Sequence, residues 1–407
     1  MNSVLPERVR RRHLHFIAIR DEVQIDLKAL LAGSPQPGSC IRIELLCPIT
    51  GKRIALGAEE LGLLCEVPAD RWSTTESLLA RLGVSVALLA GLVERGLLLA
   101  ADVEGAHGAL EVEDARLGRS AWHPISLLYH AMSAWSGISS DDPLAEKQGT
   151  ASPERLRRHI ANHGRAPEQF WRHPQGASRT WLKDDLGDSA LAELCMHRST
   201  SRAFCVQTAI AKDALARLLR LSFGMLGVRE IAPGLSAGHK LSPSGGGLHP
   251  IEAFVVCLNV EGLASGLYHY ECGAHALSAV KLENVETLRS RMTELLTGQS
   301  FFADAAVIIF QAARSSRNYW KYRRHAKAYK VLFTDAGHLS QTWYLACASE
   351  GLGAFYTGAI NDRDFCVWAE LDPAEFVVIG ANGSGKVEQA DSPLHLNAER
   401  LVLDARP

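Results

Sequence analysis

The chain has little of what marks a secreted, metal-binding or membrane-spanning protein. Its nine cysteines are an odd number, and their spacing contains neither a CxxC pair nor a zinc-ligand pattern. The uninterrupted apolar runs are short, such as Val86 to Val93, whereas a membrane-spanning helix needs about 20 apolar residues. The apolar stretch near the N-terminus is broken by Arg20 and Asp21, so it fails as a signal peptide. These absences predict a cytoplasmic protein with reduced cysteines, no metal site and no membrane anchor.

An excess of charge of either sign is also missing. Lysine and arginine number 43, aspartate and glutamate number 45, and the formal net charge is −2. This balance argues against a general role in binding nucleic acid or a membrane surface. Of the 407 residues, 47% are hydrophobic and 22% are charged, which is ordinary for a protein with a folded core. The length predicts two or three domains.

A polar segment at about 140–190, rich in Pro, Gly and His, divides the chain. We predict a winged-helix-like module at 1–110, a helical connecting region at 111–190 and a larger unit at 191–407. The module shows two helices joined by a glycine-containing turn and followed by a strand. Its second helix offers only Arg95 to reach base edges, which disfavours DNA binding. A plain core helix and an edge strand that holds a leader peptide both remain open.

Helical and strand patterns alternate in the second half without the regular cadence of a doubly wound sheet. The apolar stretches at 251–260 and 304–314 predict buried strands, and 375–385 predicts a final strand. The periodicity of 208–224 and 318–353 predicts helices, of which the second is long and broken. Together these patterns predict an α+β fold.

The segment His197 to Phe204, HRSTSRAF, is the first that carries chemistry. Arg198 and Arg202 supply two guanidiniums, and three hydroxyl residues lie between them. Guanidiniums give charge and forked donors, and hydroxyls give short neutral hydrogen bonds, so the set suits a phosphate. An exposed helix start with Ser and Thr caps is the alternative.

The segment Leu241 to Val256, LSPSGGGLHPIEAFVV, places three glycines ahead of a buried strand. Glycines let the backbone approach a flat ligand closely. The GK[ST] ending of a P-loop is missing, and glycines that precede a strand rather than a helix also exclude a GxGxxG dinucleotide site. The alternative is a flexible loop.

The run Arg314 to Lys330 has seven Lys or Arg residues, no acid and four aromatics. Basic residues interleaved with aromatics are typical of nucleic-acid binding. A solvated helix face is a second interpretation. The third is an active-site segment in which Lys321 and Tyr322 transfer protons.

Taken in order, HRSTSRAF, PSGGGLHP, KY…AYK…DAGHLSQ and GLGAFYTGAI resemble the nitroreductase superfamily, and within it the SagB-type dehydrogenases of peptide maturation. The resemblance covers about 191–385. Common nitroreductases have Asn and Gln where this chain has Gly247 and His249, and PSGG followed by His-Pro is typical of the SagB type. The resemblance implies a nitroreductase-like α+β fold with a central, mostly antiparallel sheet flanked by helices. It also implies a homodimer that binds FMN at its interface.

The resemblance implies roles for individual residues as well. Arg198, Thr200 and Arg202 match the motif that binds the FMN phosphate, and Lys386 lies where many relatives carry a further basic residue. The residues implied along the isoalloxazine ring are Pro243, Ser244, Gly245, Gly246 and His249. The residues implied on the other side of the ring are Thr357 and Gly358.

SagB-type enzymes need an adjacent Lys-Tyr pair for turnover, and Lys321 and Tyr322 match it. Two departures exist: Lys327 stands where an Arg is usual, and the spacing from the pair to this residue is slightly longer. The implied function is oxidation of thiazoline or oxazoline rings in a precursor peptide to thiazole or oxazole, by hydride transfer to flavin. A cyclodehydratase or another maturation enzyme is an implied partner. Two alternatives stay open: an NAD(P)H-dependent flavin reductase of nitro, quinone or activated-alkene substrates, and a non-catalytic peptide or nucleic-acid binder.

Overall fold

A computed structural model describes residues 5–25, 31, 37–101, 105–139, 153–165, 180 and 186–387. Its strands, in chain order, are β1 (Arg8–Arg11), β2 (Phe16–Ile25), β3 (Pro37–Leu46), β4 (Arg53–Leu56), β5 (Ser73–Thr74), β6 (Leu98–Ala100), β7 (Gly227–Ala232), β8 (Leu235–His239), β9 (Ile251–Cys257), β10 (Gly266–Glu271), β11 (Ala276–Leu282), β12 (Val307–Arg314), β13 (Gly353–Thr357) and β14 (Phe376–Gly385). Its helices are α1 (Ala58–Glu66), α2 (Thr75–Leu82), α3 (Val86–Glu94), α4 (Ala106–Arg119), α5 (Pro124–Ser133), α6 (Pro153–His163), α7 (Ala190–His197), α8 (Lys212–Ser222), α9 (Val285–Leu295), α10 (Ser300–Ala303), α11 (Ser315–Lys321), α12 (Ala328–Ser349) and α13 (Asp362–Trp368).

The chain divides into two compact units. The first combines Met1–Ala134 with Ser315–Tyr329, and the second combines Trp135–Arg314 with Lys330–Pro407. The first unit therefore contains most of the basic run, although that run is distant in sequence from the N-terminal residues. The domain limits predicted from the sequence stay a prediction.

Two antiparallel sheets and a helix pair shape the first unit. Strand β1 pairs with β5 and β6, and β3 pairs with β2 and β4. Helix α2 ends at Gly83, whose φ is 64°. Ser85 begins α3, because its Oγ accepts a hydrogen bond from the N–H of Leu88 at 3.1 Å. The two helices and β6 thus follow one another as helix, turn, helix and strand. The leucine-rich core includes Val9, Leu45, Leu63, Leu78, Leu89 and Leu92.

Aromatic packing holds the basic run within the first unit. The ring of Trp122 lies 5.6 Å from His130 and 4.8 Å from Tyr319, between ring centroids. His130 Nδ1 lies 3.3 Å from the hydroxyl of Tyr329. Ser126 Oγ donates to the carbonyl of Ala326 at 3.2 Å. Trp122 therefore packs on α11, and α5 contacts the start of α12 and the residues just before it.

The second unit is built on one six-stranded antiparallel sheet, with the order β11-β10-β9-β12-β14-β13. Strands β9, β12 and β14 are buried along almost their whole length, which explains the largely apolar sequences of β9 and β12. Helices α9, α10 and α13 pack on one face through residues such as Met292, Phe302 and Phe365. The prediction of an α+β fold with a mostly antiparallel sheet flanked by helices is confirmed.

Helix α12 packs on the opposite face of this sheet through polar and aromatic contacts. Gln311 Nε2 donates to Ser340 Oγ at 2.8 Å and to Asn382 Oδ1 at 2.6 Å. Trp343 Nε1 donates to the carbonyl of Gly383 at 3.1 Å. These side chains are buried, so they fix the position of α12 on β12 and β14.

Among the described residues, no helix is both long and apolar enough to cross a membrane. The described residues also contain no group of three or more His, Cys, Asp or Glu side chains that could hold a metal ion.

Candidate functional site

The glycine loop between β8 and β9 is held by one buried carboxylate. Ser244 Oγ donates to Asp335 Oδ2 at 2.5 Å, and the N–H of Gly245 donates to Asp335 Oδ1 at 2.9 Å. The N–H of His249 donates to Ser244 Oγ at 2.9 Å, which closes the loop on itself. Asp335 lies in α12 and is only 3% exposed. Helix α12 therefore fixes the loop's conformation through a charged acceptor.

The two sides of this loop differ in the space around them. A Cβ atom at Gly245 would overlap Cγ1 of Val331 in α12, so this position needs glycine. Gly247 has a φ of +68°, and a Cβ atom there would meet nothing within 4 Å. One side of the loop is thus packed against α12, and the other side leaves room for a ligand to approach the backbone.

A second group of sequence-predicted residues gathers at the edge of the sheet, beside β13 and the end of β14. The N–H of Ser201 donates to the carbonyl of Ala354 at 2.8 Å, and the N–H of Cys205 donates to the carbonyl of Lys386 at 2.8 Å. A Cβ atom at Gly353 would overlap the side chain of Ser201. These bonds hold the HRSTSRAF segment along β13 and beside Lys386.

This edge carries positive charge. The guanidinium of Arg198 lies 5.4 Å from the ring centroid of Tyr344, and Thr200 Oγ1 lies 3.0 Å from the hydroxyl of Tyr344. Arg202 and Lys386 are exposed. In the part of the chain that the structure describes, neither Arg198 nor Arg202 forms an ion pair. The residues can therefore accept a phosphate without breaking an existing salt bridge.

Thr357 and Gly358 lie at the other end of β13. Thr357 is buried, and its Oγ1 accepts a hydrogen bond from the N–H of Ala359 at 3.1 Å. Gln299 Nε2 lies 3.4 Å from the same Oγ1. A Cβ atom at Gly358 would meet nothing within 4 Å, so the backbone there is open to a ligand.

The structure thus brings the predicted cofactor residues into two groups. We call the first the loop group; its members are Pro243, Ser244, Gly245, Gly246 and His249. We call the second the edge group; its members are Arg198, Thr200, Arg202, Thr357, Gly358 and Lys386.

Helix α12 separates the two groups. Asp335 contacts the loop group, and Tyr344 contacts the edge group. Between these residues the helix makes about 2.5 turns, so their side chains point to opposite sides. Thr342, whose Oγ1 lies 2.7 Å from Ser242 Oγ, is on the same side as Asp335. With the diameter of an α-helix between them, the two groups of one chain face different directions.

Lys321 and Tyr322 belong to the first unit rather than to the unit that carries both groups. Lys321 ends α11 and is exposed, and its Nζ lies 5.8 Å from the ring centroid of Tyr322. Their assignment to proton transfer stays a prediction.

Sequence reasoning missed two residues that organise the site. Asp335 was recognisable only as part of the DAGH motif, and its contact with the loop spans 90 positions of sequence. Tyr344 supports Arg198 and Thr200 together, yet it lies among ordinary helical residues. No local pattern marked either contact.

The sequence profile of the nitroreductase family matches residues 195–385. This segment contains every residue of the loop and edge groups except Lys386. The matched residues contain the six-stranded sheet, so this part of the chain is similar to the nitroreductase family and has a nitroreductase-like fold.

Two individual proteins are similar to parts of this chain. "Putative nitroreductase MJ1384" of Methanocaldococcus jannaschii is 25% identical over 180 residues, which are 44% of this chain and 84% of that protein. The trifolitoxin-processing protein TfxB of Rhizobium leguminosarum bv. trifolii is 29% identical over 135 residues, which are 33% of this chain and 36% of TfxB. The matched segment therefore spans about a third of TfxB's length.

One of the similar solved structures is the Escherichia coli microcin synthetase McbBCD complex with truncated pro-MccB17 bound. The similarity has a TM-score of 0.47 and 19% identity, and it covers 63% of this chain and 89% of the other.

Proposed function

We propose that this protein is an FMN-dependent dehydrogenase of the SagB type. It oxidises thiazoline or oxazoline rings in a ribosomally made precursor peptide to thiazoles or oxazoles. The observation that carries the proposal is the PSGGG loop held by Asp335, with its open side free for a flat ring. The similarity to the trifolitoxin-processing protein favours peptide maturation over other uses of this domain.

The cofactor is FMN, and the residues present fit it. Glycines with open space at 247 and 358 allow close approach of the backbone to an isoalloxazine ring. Arg198, Arg202 and Lys386 supply a cationic edge for the phosphate. When bound, FMN supplies the redox chemistry by accepting two electrons as a hydride.

The opposed directions of the loop and edge groups favour a site shared between two copies of the chain. A rigid flat ring that lies against the loop cannot also reach residues on the far side of α12 in the same chain. A homodimer with two-fold symmetry would place the loop group of one copy opposite the edge group of the other, twice. This arrangement agrees with the interfacial FMN that the family resemblance implies.

The overall reaction removes a hydride and a proton from the azoline ring. The hydride leaves with the two electrons of one C–H bond, and a base takes the proton as the ring becomes aromatic. Lys321 is the proposed base, and Tyr322 relays or donates the proton. Lys321 is exposed in a single chain, so the bound peptide or the second copy has to exclude water from it.

The precursor peptide is the proposed substrate, and a cyclodehydratase that forms the azoline is the proposed partner. The helix pair α2 and α3, together with the strands beside it, is the proposed holder of the leader peptide. In this proposal the first unit recognises the peptide and supplies Lys321 and Tyr322, and the second unit binds FMN.

The first test is the absorbance spectrum of the purified protein, with the released cofactor identified by chromatography. We expect FMN near one per chain. A colourless protein that takes up no added FMN would overturn the enzyme assignment.

The second test is anaerobic reduction of the bound flavin, followed at its visible absorbance band. An azoline-containing peptide should bleach the flavin and yield the azole. Lys321→Ala should keep the flavin and lose this reaction, whereas Lys212→Ala, which removes an exposed lysine of α8, should change it little. Rapid bleaching by NADPH or NADH with none by the peptide would favour a flavin reductase instead.

A further inference from the structure

Residues 323–327, which we call the basic turn, lie between α11 and α12 and form an exposed part of the first unit. Arg323, Arg324 and Lys327 are all exposed, and among the described residues none of the three forms an ion pair. None of the roles proposed above uses these three side chains. Three cations without counter-charges on one short turn make a surface that attracts an anionic ligand.

The backbone of the basic turn is fixed by the residues around α5. The N–H of Arg324 donates to the carbonyl of Ala121 at 3.2 Å. Arg324 has a φ of 53°, in the left-handed region that residues other than glycine rarely adopt. Ser126 Oγ, in α5, donates to the carbonyl of Ala326 at 3.2 Å. Because the turn is held at both of these points, a ligand that binds there has little backbone left to order.

An apolar stripe on α5 lies beside the basic turn. Ile125 and Tyr129 are one helical turn apart, and they are 62% and 61% exposed. Ser126, which bonds to the turn, lies between them in sequence, and the ring of Tyr129 lies 5.8 Å from that of Tyr329, just after the turn. The segment 120–135, which contains α5, has no Asp or Glu, and neither has the basic run. These segments therefore combine positive charge with exposed apolar side chains and have no acid that would compete with a ligand.

We propose that the basic turn and the stripe of Ile125 and Tyr129 bind the part of the precursor peptide next to the reacting azoline, through carboxylates and an apolar side chain of the peptide. This inference rests on the proposed function, because it takes Lys321 and Tyr322 as the proton-transfer pair. The turn follows Tyr322 directly in the chain, so a peptide whose ring reaches this pair lies beside the turn.

The recognised acids should lie close to the azoline in the peptide sequence. Lys327 follows Lys321 by six positions, and the chain between them turns. An extended peptide advances about 3.3 Å per residue, so about six of its residues reach from an azoline at Lys321 to the far end of the basic turn. A peptide with Asp or Glu in this range therefore places a carboxylate near the turn, and it covers the exposed side chain of Lys321.

The competing ligand is a nucleic acid, because basic residues interleaved with aromatics also suit a phosphate backbone. Two observations favour the peptide. The chain as a whole has a net charge of −2, which gives no long-range attraction for a polyanion. The apolar stripe includes Ile125, whose aliphatic side chain packs against an apolar peptide side chain but offers no ring on which a base could stack.

The experiment measures affinity by isothermal titration calorimetry with two synthetic peptides that each contain a thiazole, the ring that cannot be oxidised further. One has Leu beside the ring and two Asp residues within about six positions of it, and the other has Asn in place of both Asp residues. For the unaltered protein we expect the acidic peptide to bind about tenfold more tightly at low salt, from two exposed charge pairs. At 1 M salt the preference should fall to about twofold.

Variants separate the charged and apolar parts of this surface. The double variant Arg323→Gln, Lys327→Gln should bind both peptides as the unaltered protein binds the Asn peptide, so the preference disappears. Tyr129→Ser should weaken both peptides to the same extent, because it removes an apolar contact from each. Lys212→Gln removes an exposed lysine from α8 of the second unit and should change neither affinity.

Equal binding of the two peptides by the unaltered protein, or a preference that survives in the double variant, would overturn the inference. Oligothymidylate that binds more tightly than the acidic peptide and displaces it would also overturn it. The thiazoline forms of the same peptides test the proposed function separately. Oxidation of both with equal kcat/KM refutes only the recognition of acids, whereas a preference in binding without oxidation of either peptide refutes the dehydrogenase function.

Discussion

Asp335 holds the glycine loop through both of its carboxylate oxygens, each of which accepts a separate hydrogen bond. Asp335→Ala removes both acceptors and leaves the N–H of Gly245 without its partner, at a cost of about 1–3 kcal/mol. We expect the affinity for FMN to fall at least about tenfold, with a smaller loss for Asp335→Asn, which keeps one acceptor. Fluorescence titration with FMN measures this. Asp213→Ala, at an exposed position of α8, is the control, and equal affinities of both variants would contradict the role of Asp335.

The edge group should determine the preference for FMN over riboflavin, because its basic residues should recognise the phosphate rather than the ring. The unaltered protein should bind FMN more tightly than riboflavin, which lacks the phosphate. Arg202→Met should reduce this preference and also its dependence on salt, since it removes a charged contact. Competition titrations with the two ligands at low and high salt measure it. If the variant lost affinity for both ligands equally, Arg202 would have a structural role instead.

At the scale of elements, two exposed glycines of the first unit predict opposite effects of the same substitution. Gly83 ends α2 with a φ of +64°, while Gly62 lies inside α1, and a Cβ atom at either would meet nothing within 4 Å. Gly83→Ala should therefore destabilise the unit by about 1 kcal/mol through backbone strain alone. Gly62→Ala should stabilise it by about 0.5–1 kcal/mol, because alanine favours the helix. Urea denaturation measures both, and changes of the same sign would contradict the helix ends described here.

Strands that are buried on both faces were the elements most open to prediction. Strands β9 and β12 appear in the sequence as largely apolar runs because both of their faces are covered. The hairpin of β7 and β8 was missed, because every residue of β7 is exposed and its sequence has no apolar period. Strand β2 was missed for a related reason. Arg20 and Asp21, which argued against a signal peptide, belong to a strand whose residues pair with Arg42 and Ile41 of β3.

The candidate site was predictable in its parts but not in its arrangement. The glycines and arginines stand in short motifs, so a resemblance could assign each of them a role. The two groups lie on opposite sides of α12 because Asp335 and Tyr344 are separated by a half-integral number of helical turns. Asp335 contacts Gly245 across 90 positions of sequence, and Tyr344 contacts Thr200 across 144 positions. Such contacts depend on the folded chain, and no local pattern predicts them.

At the scale of the whole molecule, the shared site makes a prediction that a single-chain site does not. Asp335→Ala damages the loop group, and Arg202→Met damages the edge group. When the two variants are co-expressed, mixed dimers should contain one intact site and one doubly altered site. Random pairing then restores roughly a quarter of the tight FMN sites. Mixed dimers can be isolated by giving the two variants different tags and purifying on each tag in turn, and FMN titration then counts their tight sites. If the mixed dimer had no tight site, each chain would bind FMN alone.

Each unit also contains a partly buried titratable group, and the two groups respond to acid in opposite ways. Burial, with a contribution from Arg11 and Arg12, lowers the pKa of His15 in the first unit from 6.5 to about 3. Burial raises the pKa of Asp362 in the second unit from 3.8 to about 6, although Asp362 accepts a hydrogen bond from the N–H of Trp135. The unfolded chain binds a proton on His15 more readily than the folded chain does, and the reverse holds for Asp362.

Acidification from pH 7 to pH 5 should therefore lower the contribution of His15 to the stability of the first unit and raise the contribution of Asp362 to the stability of the second. The contribution of His15 is present above pH 6.5 and is lost as the pH falls, by roughly 2 kcal/mol at pH 5. Asp362 contributes roughly 1 kcal/mol of added stability over the same interval, because the folded state takes up the proton near pH 6. Calorimetry at both pH values, with His15→Phe and Asp362→Asn compared with the unaltered protein, isolates each contribution. His15→Phe should remove the loss in the first unit and Asp362→Asn the gain in the second, and a pH response that neither variant alters would show that other groups control it.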